Sequence, residues 1–183
     1  MTIARNVWAY IDRRDQRLMM WLNHWSAPRW VRYWMTIATR LGDGWIWYGM
    51  GALILLIGGP KRFVAAETAG SAAMAGILVF KALKLLSHRP RPCATTPHCW
   101  SKVLPPDKFS FPSGHTMSAF SIAIVLSYFY PSLEGALFFV ASSIAVSRIV
   151  LGMHFLSDVL AGVVLGVALG CAAITAFAAI GLI

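Results

Sequence analysis

Apolar residues run in long blocks along this chain, and the polar residues collect in the gaps between them. Gly44 to Gly59 is free of charge and aromatic at its start. Phe63 to about Leu86, Gly114 to Tyr130, Leu133 to Leu151 and Phe155 to Ile183 follow it. Blocks of this length predict membrane-spanning helices. Gly59-Pro60-Lys61-Arg62 and Pro131-Ser132 read as the turns between neighbours. Upstream the pattern changes. Residues 1–26 mix Arg5, Asp12, Arg13, Arg14, Asp15 and Arg17 with Val7, Tyr10, Ile11, Leu18 and Trp21 at helical spacing, which predicts an amphipathic helix lying in the interface. Pro28 opens Arg29 to Leu41, a stretch too short and too charged to cross unaided. It is a short helix, a partial span, or part of a tilted first span that begins near Leu18. The expected fold is all-α: one domain over 1–183, a polytopic transmembrane helical bundle of five to six spans, with an interfacial helix or partial span in 1–43.

Composition narrows the picture. The chain of 183 residues is 58% hydrophobic and 13% charged, with a mean hydropathy of +0.65. Soluble domains carry roughly a quarter charged residues. Trp25, Trp30, Trp34, Trp45, Trp47 and Trp100 sit near block ends, as interfacial anchors do. The net charge of +9 does not suggest nucleic acid, because the basic residues flank apolar blocks; it suits positive-inside loops or an anionic ligand. The apolar stretch from Leu18 is broken by Asn23 and His24, with no small-residue cleavage site after it, so no cleavable signal peptide is expected. There is no CxxC, no Cys/His ligand spacing and no paired-carboxylate pattern, so neither a metal nor another cofactor is expected. Glu67, near Lys61 and Arg62, reads as structural.

Candidate chemistry lies in the polar gaps. Residues 87–111 form a long proline-rich connection, and connections of that length are usually functional. Helix alternation puts the end of the block at Lys84, the start at Gly114 and the junction near Gly152 on one membrane face. Three clusters therefore converge: Lys84 with Arg89 and Arg91, Pro112-Ser113-Gly114-His115, and Arg148 with His154 and Asp158. Ionisable groups at membrane depth are costly and mark function by default. His154 and Asp158, four apart, share a helix face if the helix runs through both, and the carboxylate would then accept a hydrogen bond from Nδ1–H and leave Nε2 with a free lone pair as a nucleophile. Gly152 could end the preceding helix and let Arg148 fold back toward the ring, where its guanidinium would hold an oxyanion. A buried ion pair stapling two helices fits the same residues. Ser113 could cap the next helix, whose N–H groups at Gly114 would bind phosphate, with glycine allowing close approach and His115 beside it as proton donor.

Lys84 to Pro92 fits K-x6-R-P, Pro112 to His115 is P-S-G-H, and Ser147 to Asp158 is S-R-x5-H-x3-D. In this order across 84–158 the motifs resemble the type 2 phosphatidic acid phosphatase (PAP2) superfamily, which holds membrane lipid phosphatases and soluble vanadium haloperoxidases. The resemblance implies that His154 attacks phosphorus to form a phosphohistidine, that Asp158 orients it and that His115 protonates the leaving oxygen. It implies that Lys84, Arg91, Arg148, Ser113 and the Gly114 amide bind the phosphoryl oxygens, with no metal. Arg89-Pro90 repeats Arg91-Pro92, so either arginine could touch phosphate; motif spacing favours Arg91.

The expected activity is that of an integral membrane lipid phosphate phosphatase, acting on undecaprenyl diphosphate, phosphatidylglycerophosphate or phosphatidic acid as substrate class, with lipid A phosphate also open, in a bacterial-type inner membrane. The partners are then the lipid substrate and the bilayer, with no nucleic acid; oligomeric state is not legible. A non-catalytic anion- or lipid-binding bundle or transporter is the alternative, although it would not need His115, His154 and Asp158 together. Lys61 and Arg62 lie opposite the site, so the positive-inside rule places them in the cytoplasm and the site in the periplasm or outside. Cys93 and Cys99 are close enough in sequence to form a bridge there. Cys171, within the last block, is expected to be a buried thiol.

Overall fold

The structure, a computed structural model, describes residues 2–95 and 107–183. Its helices are α1 (Thr2–His24), α2 (Arg29–Leu41), α3 (Trp45–Ile57), α4 (Arg62–Ser87), the one-turn α5 (Pro92–Thr95), α6 (Gly114–Phe129), α7 (Glu134–Val150) and α8 (Leu156–Ala179). Short 3-10 turns at Gly59–Lys61 and Pro131–Leu133 join α3 to α4 and α6 to α7. Both contain the proline that ends an apolar block. The fold is an all-α membrane bundle. Three stretches, Gly59–Ser87, Pro131–Val150 and Leu156–Ala179, are long and apolar enough to cross a membrane, while Trp45–Ile57 and Gly114–Phe129 are shorter apolar helices. Arg29–Leu41 is a separate short helix, with Pro28 at its N-cap.

α6 is the axis of the bundle, packed against α4, α7 and α8. Its short length goes with deep burial: Met117, Ala119, Ala123 and Val125 are wholly enclosed. Small side chains let the backbones approach. Ala65, Ala69 and Ala72 of α4 and Ala141 of α7 join this core, and α8 meets α6 through Gly162, Gly166 and Gly170. A Cβ at Gly166 would lie 2.5 Å from the Met117 carbonyl, and one at Gly162 would lie 2.7 Å from that of Ser113. The other face of α8 is turned outward, with Leu160 and Val164 exposed. Cys171 is also on that face and is exposed, which corrects the expectation of a buried thiol: that side of the apolar helix is not covered by other described residues, as suits a face turned to lipid. Glu67 is likewise on the outer surface of α4.

α1 packs against α8 in an inverted sense for a soluble helix. Asp15, Met19 and Leu22 are buried, whereas Val7, Trp8, Tyr10 and Trp21 are exposed. That polarity suits a helix whose outer side meets lipid. At the far end of the bundle the Tyr130 hydroxyl donates to the Gly58 carbonyl at 3.0 Å, tying the two short turns together. The opposite end gathers the polar residues.

Candidate active site

Three helix ends define this polar face. α7 stops at Val150, and the chain reverses through Gly152, whose φ of 66° suits glycine. The N–H groups of Met153 and His154 return to the Arg148 carbonyl, both at 3.0 Å, so α7's last turn and His154 are fixed to each other. α8 begins only at Leu156. His154 therefore stands in an irregular connection, and the expectation that it shares a helix face with Asp158 is corrected. The ends of the long connection also meet: Pro90 and Phe109 form an isolated bridge, and Ser110 N–H donates to the Arg89 carbonyl at 2.8 Å. This pairing presents the Ser110 carbonyl to His154 Nδ1 at 2.6 Å.

A carbonyl oxygen only accepts, so Nδ1 carries the hydrogen and Nε2 holds the lone pair. Arg91 Nη1, 3.1 Å from Nε2, donates to it. Ser110, not Asp158, thus selects the tautomer; the nearest Asp158 oxygen is 3.8 Å from Nδ1. Asp158 is engaged elsewhere. Its Oδ2 accepts from Phe155 N–H at 2.8 Å, at the start of α8, and its Oδ1 accepts from Arg89 at 2.7 Å. The role missed by sequence inspection belongs to a backbone carbonyl, which no side-chain motif reveals. Burial, and after it the charges of Arg148, Arg91 and Lys84, push the pKa of His154 well below its ordinary 6.5. The ring is a neutral imidazole with its basic nitrogen among three cations.

Arg148 is 1% exposed. Its Nη1 donates to Thr39 Oγ1 of α2 at 2.6 Å, while Nε and Nη2 have no hydrogen-bond partner among the described residues. It makes no ion pair among those residues, so it does not staple helices as a buried pair would. Lys84 and Arg91 share Asp107: Lys84 Nζ donates to Oδ2 at 2.6 Å and Arg91 Nη2 to Oδ1 at 2.8 Å. Burial raises the Asp107 pKa, but those two cations outweigh it and hold the carboxyl below its ordinary range. Arg91 is tied further by Nε to the Asp107 carbonyl and by Nη1 to the Met153 carbonyl, both at 2.8 Å. Asp107 was not legible as a site residue, since one aspartate in a proline-rich loop has no distinguishing spacing.

The P-S-G-H segment is arranged differently from expectation. Ser113 occupies the N-cap of α6 but makes no side-chain cap; its hydroxyl pairs with that of Thr116 at 3.0 Å. Its N–H donates to the Asp158 carbonyl at 3.0 Å, which locks the start of α6 to the start of α8. A Cβ at Gly114 would lie 2.9 Å from the Phe80 ring, so helix packing already requires glycine there. The first N–H of α6 to be used within the helix is that of Met117, which leaves those of Gly114, His115 and Thr116 at the open end. His115 turns its Nε2 to Asp43 Oδ1 at 2.8 Å.

Arg89 points away from this group. It donates to Asp12, Asp15, Ser157 and Asp158, all at 2.7–2.8 Å, and lies over the Phe155 ring. Asp15 also accepts from the Ser157 hydroxyl. Arg89 thus anchors α1 beside Asp158, and Arg91 is the arginine at His154. The Cys93–Cys99 pairing lies outside the described residues.

Residues 65–181 match the model of the PAP2 superfamily. The chain belongs to that superfamily. It is similar to phosphatidylglycerophosphatase B of Bacillus subtilis (strain 168), 33% identical over 166 residues, 83% of this chain and 70% of that protein. It is also similar to the bacitracin transport permease protein BcrC of Bacillus licheniformis, 29% identical over 75% of this chain and 57% of that one. Among solved structures, Aquifex aeolicus LpxE matches with a TM-score of 0.72 and 27% identity, covering 87% of this chain and 93% of that one. A PAP2-type phosphatidylglycerolphosphate phosphatase of Bacillus subtilis matches at 0.69 and 25%, covering 91% and 85%. A bacterial vanadium-dependent iodoperoxidase, 16% identical, shares the fold at 0.69. The PAP2 motifs seen in the sequence are thus the residues gathered at this face.

Proposed function

We propose that this PAP2 protein is an integral membrane lipid phosphate phosphatase that works through a phosphohistidine on His154. The observation that carries the proposal is Arg148: a buried guanidinium with two unpartnered N–H groups among the described residues, whose charge acts on a neutral imidazole that Arg91 meets at Nε2. Each unsatisfied donor costs on the order of 1–3 kcal/mol, and a phosphoryl oxygen satisfies both at once. In the first half-reaction Arg91 Nη1 moves from Nε2 to a phosphoryl oxygen, Nε2 bonds to phosphorus, the bond to the leaving oxygen breaks, and His115 supplies its proton. In the second, water attacks phosphorus, His115 accepts the water's proton, and the P–N bond breaks. Lys84, Arg91, Arg148 and the amides at the start of α6 stabilise the charge on the equatorial oxygens. Asp107 sits on two of these cations, so a phosphate shares Lys84 and Arg91 with it or displaces it.

The substrate class we favour is phosphatidylglycerophosphate, the substrate in the names of the Bacillus subtilis matches; undecaprenyl diphosphate and phosphatidic acid are the alternatives. The lipid tails stay in the bilayer while the headgroup enters from the periplasmic or outer side of an inner membrane. Among the described residues no cluster of His, Cys, Asp and Glu could hold a metal, and three cations supply the countercharge. The test is phosphate release by purified protein from a panel of these lipids. We expect turnover that persists in EDTA, that vanadate inhibits, and that His154→Ala abolishes in a protein that still melts cooperatively. Near-wild-type turnover by His154→Ala would exclude the nucleophile.

A further inference from the structure

Two contacts bind the corner between α2 and α3 to the site. Thr39 accepts from Arg148 at 2.6 Å, and Asp43 Oδ1 is 2.8 Å from His115 Nε2. Neither residue belongs to a PAP2 motif, and the corner lies upstream of the matched residues 65–181. We propose that Asp43 is the positioning residue of the general acid: it holds the Nε2 hydrogen of His115, fixes the ring, and makes Nδ1 the nitrogen that exchanges a proton with the leaving oxygen. The inference rests on His115 being the acid in the reaction above.

An ionised carboxylate only accepts, so Nε2 carries a hydrogen while Asp43 faces it. The neutral ring is then the Nε2–H tautomer with a bare Nδ1, and the protonated ring gains a second N–H at Nδ1. During formation of the His154–phosphorus bond, the Nδ1 proton passes to the oxygen of the breaking P–O bond and the ring becomes neutral. During hydrolysis, Nδ1 takes a proton from the attacking water as the P–N bond breaks, and the ring is recharged. Nε2–H stays with Asp43 throughout, so one nitrogen serves both steps and the ring need not turn between them.

The surroundings give the carboxylate a reason to be there. The ionisable groups acting on His115 are Arg148 of α7, Lys84 of α4, His154 of the connection before α8, and Asp43. Two are fixed cations that the phosphate requires and His154 is neutral. An imidazolium among them needs a neighbouring anion, and Asp43 is the carboxylate in that set. The Thr39–Arg148 contact, one helical turn from Asp43, holds the same corner against the site. An exposed ion pair would contribute little and would not affect proton transfer, which separates that simpler account from this one.

The test compares kcat–pH profiles of the wild type, Asp43→Asn, Asp43→Glu, His115→Ala and the Asp43→Asn/His115→Ala double variant. Each is measured with a lipid phosphate, whose leaving alkoxide needs a proton, and with p-nitrophenyl phosphate, whose leaving group does not. We expect Asp43→Asn to lower kcat on the lipid by about 10- to 100-fold and to move the basic limb to lower pH. The loss should shrink to a few-fold on the aryl ester, recover in part in Asp43→Glu, and vanish in the His115→Ala background. Equal loss on both substrates, an unmoved basic limb, or full additivity in the double variant would overturn the role of Asp43. If the His115→Ala defect itself ignores the leaving group, the general-acid reading falls first; if it does not and Asp43→Asn does, only this inference falls. A measurement on the wild type is independent of variant folding: 15N spectra of neutral His115 should show the Nε2–H tautomer, and Nδ1–H would overturn the proposal.

Discussion

The Ser110 carbonyl, 2.6 Å from Nδ1 of His154, sets up the proposed nucleophile with a group that does not titrate. Burial and the neighbouring cations keep the ring neutral well below pH 6.5, so the acid limb of kcat/KM assignable to the nucleophile should lie below that pH. The same shift is a stability term. Below about pH 6.5 the unfolded histidine binds a proton that the folded one does not, so the contribution is present above that pH and lost as pH falls. The detergent melting temperature should therefore drop from about pH 7 to about pH 5, with a shallower drop in His154→Asn; an unchanged slope in that variant would assign the drop elsewhere. Arg148 gives a second expectation. Its fork places Nη1 on Thr39 and leaves Nε and Nη2 without a partner among the described residues, open to the proposed phosphate, a geometry a lysine lacks. Arg148→Lys should reduce kcat/KM by about 100- to 1,000-fold despite keeping the charge, as read from initial rates on a lipid phosphate.

At the scale of elements, the site depends on how closely α8 approaches α6. Gly162, Gly166 and Gly170 bring the two backbones together, and that approach lets Ser113 N–H reach the Asp158 carbonyl at 3.0 Å. Gly166→Leu, two turns below Asp158 and touching no catalytic side chain, should push the helices apart. We expect it to cost about 1–3 kcal/mol of stability and to lower activity in parallel, measured by thermal melts in detergent beside turnover. Retained activity with a lowered melting temperature would show that the site tolerates the separation. α1 contributes in another way. Asp12 and Asp15 meet Arg89, and Arg89 meets Asp158, so the N-terminal helix supports Asp158 in the first turn of α8.

For the whole molecule, the polar end holds the candidate site, and Lys61 and Arg62 mark the far end. The positive-inside rule then orients the bundle. A reporter fused after Ile183, beyond the far end of α8, should signal the cytoplasm, and one placed in the connection after α5 should signal the periplasm. The reverse pattern would invert the proposed topology.

The apolar blocks by themselves determined the helices, because a bilayer demands long apolar runs and prolines end them. They placed α4 and α6 to α8 within a few residues and, through alternation, brought Lys84, Arg89, Arg91, His115, Arg148, His154 and Asp158 to one face, with Arg91 preferred over Arg89 only by the motif spacing of the PAP2 resemblance. What they left open was whatever depends on how the chain turns between helices. Residues 29–41 had three possible forms, and packing of α2 against α7 made them one short helix. Asp158 stands four residues after His154, yet Gly152 ends α7 and α8 starts at Leu156, so helical spacing does not apply across that gap. Ser110, Asp107, Thr39 and Asp43 reach the site only through tertiary contacts, and as a backbone carbonyl or lone polar residues in loops and on a short helix they leave no periodic trace. The chemistry-bearing side chains were thus legible from their cost at membrane depth, whereas the partners that set tautomer and charge were decided by the fold.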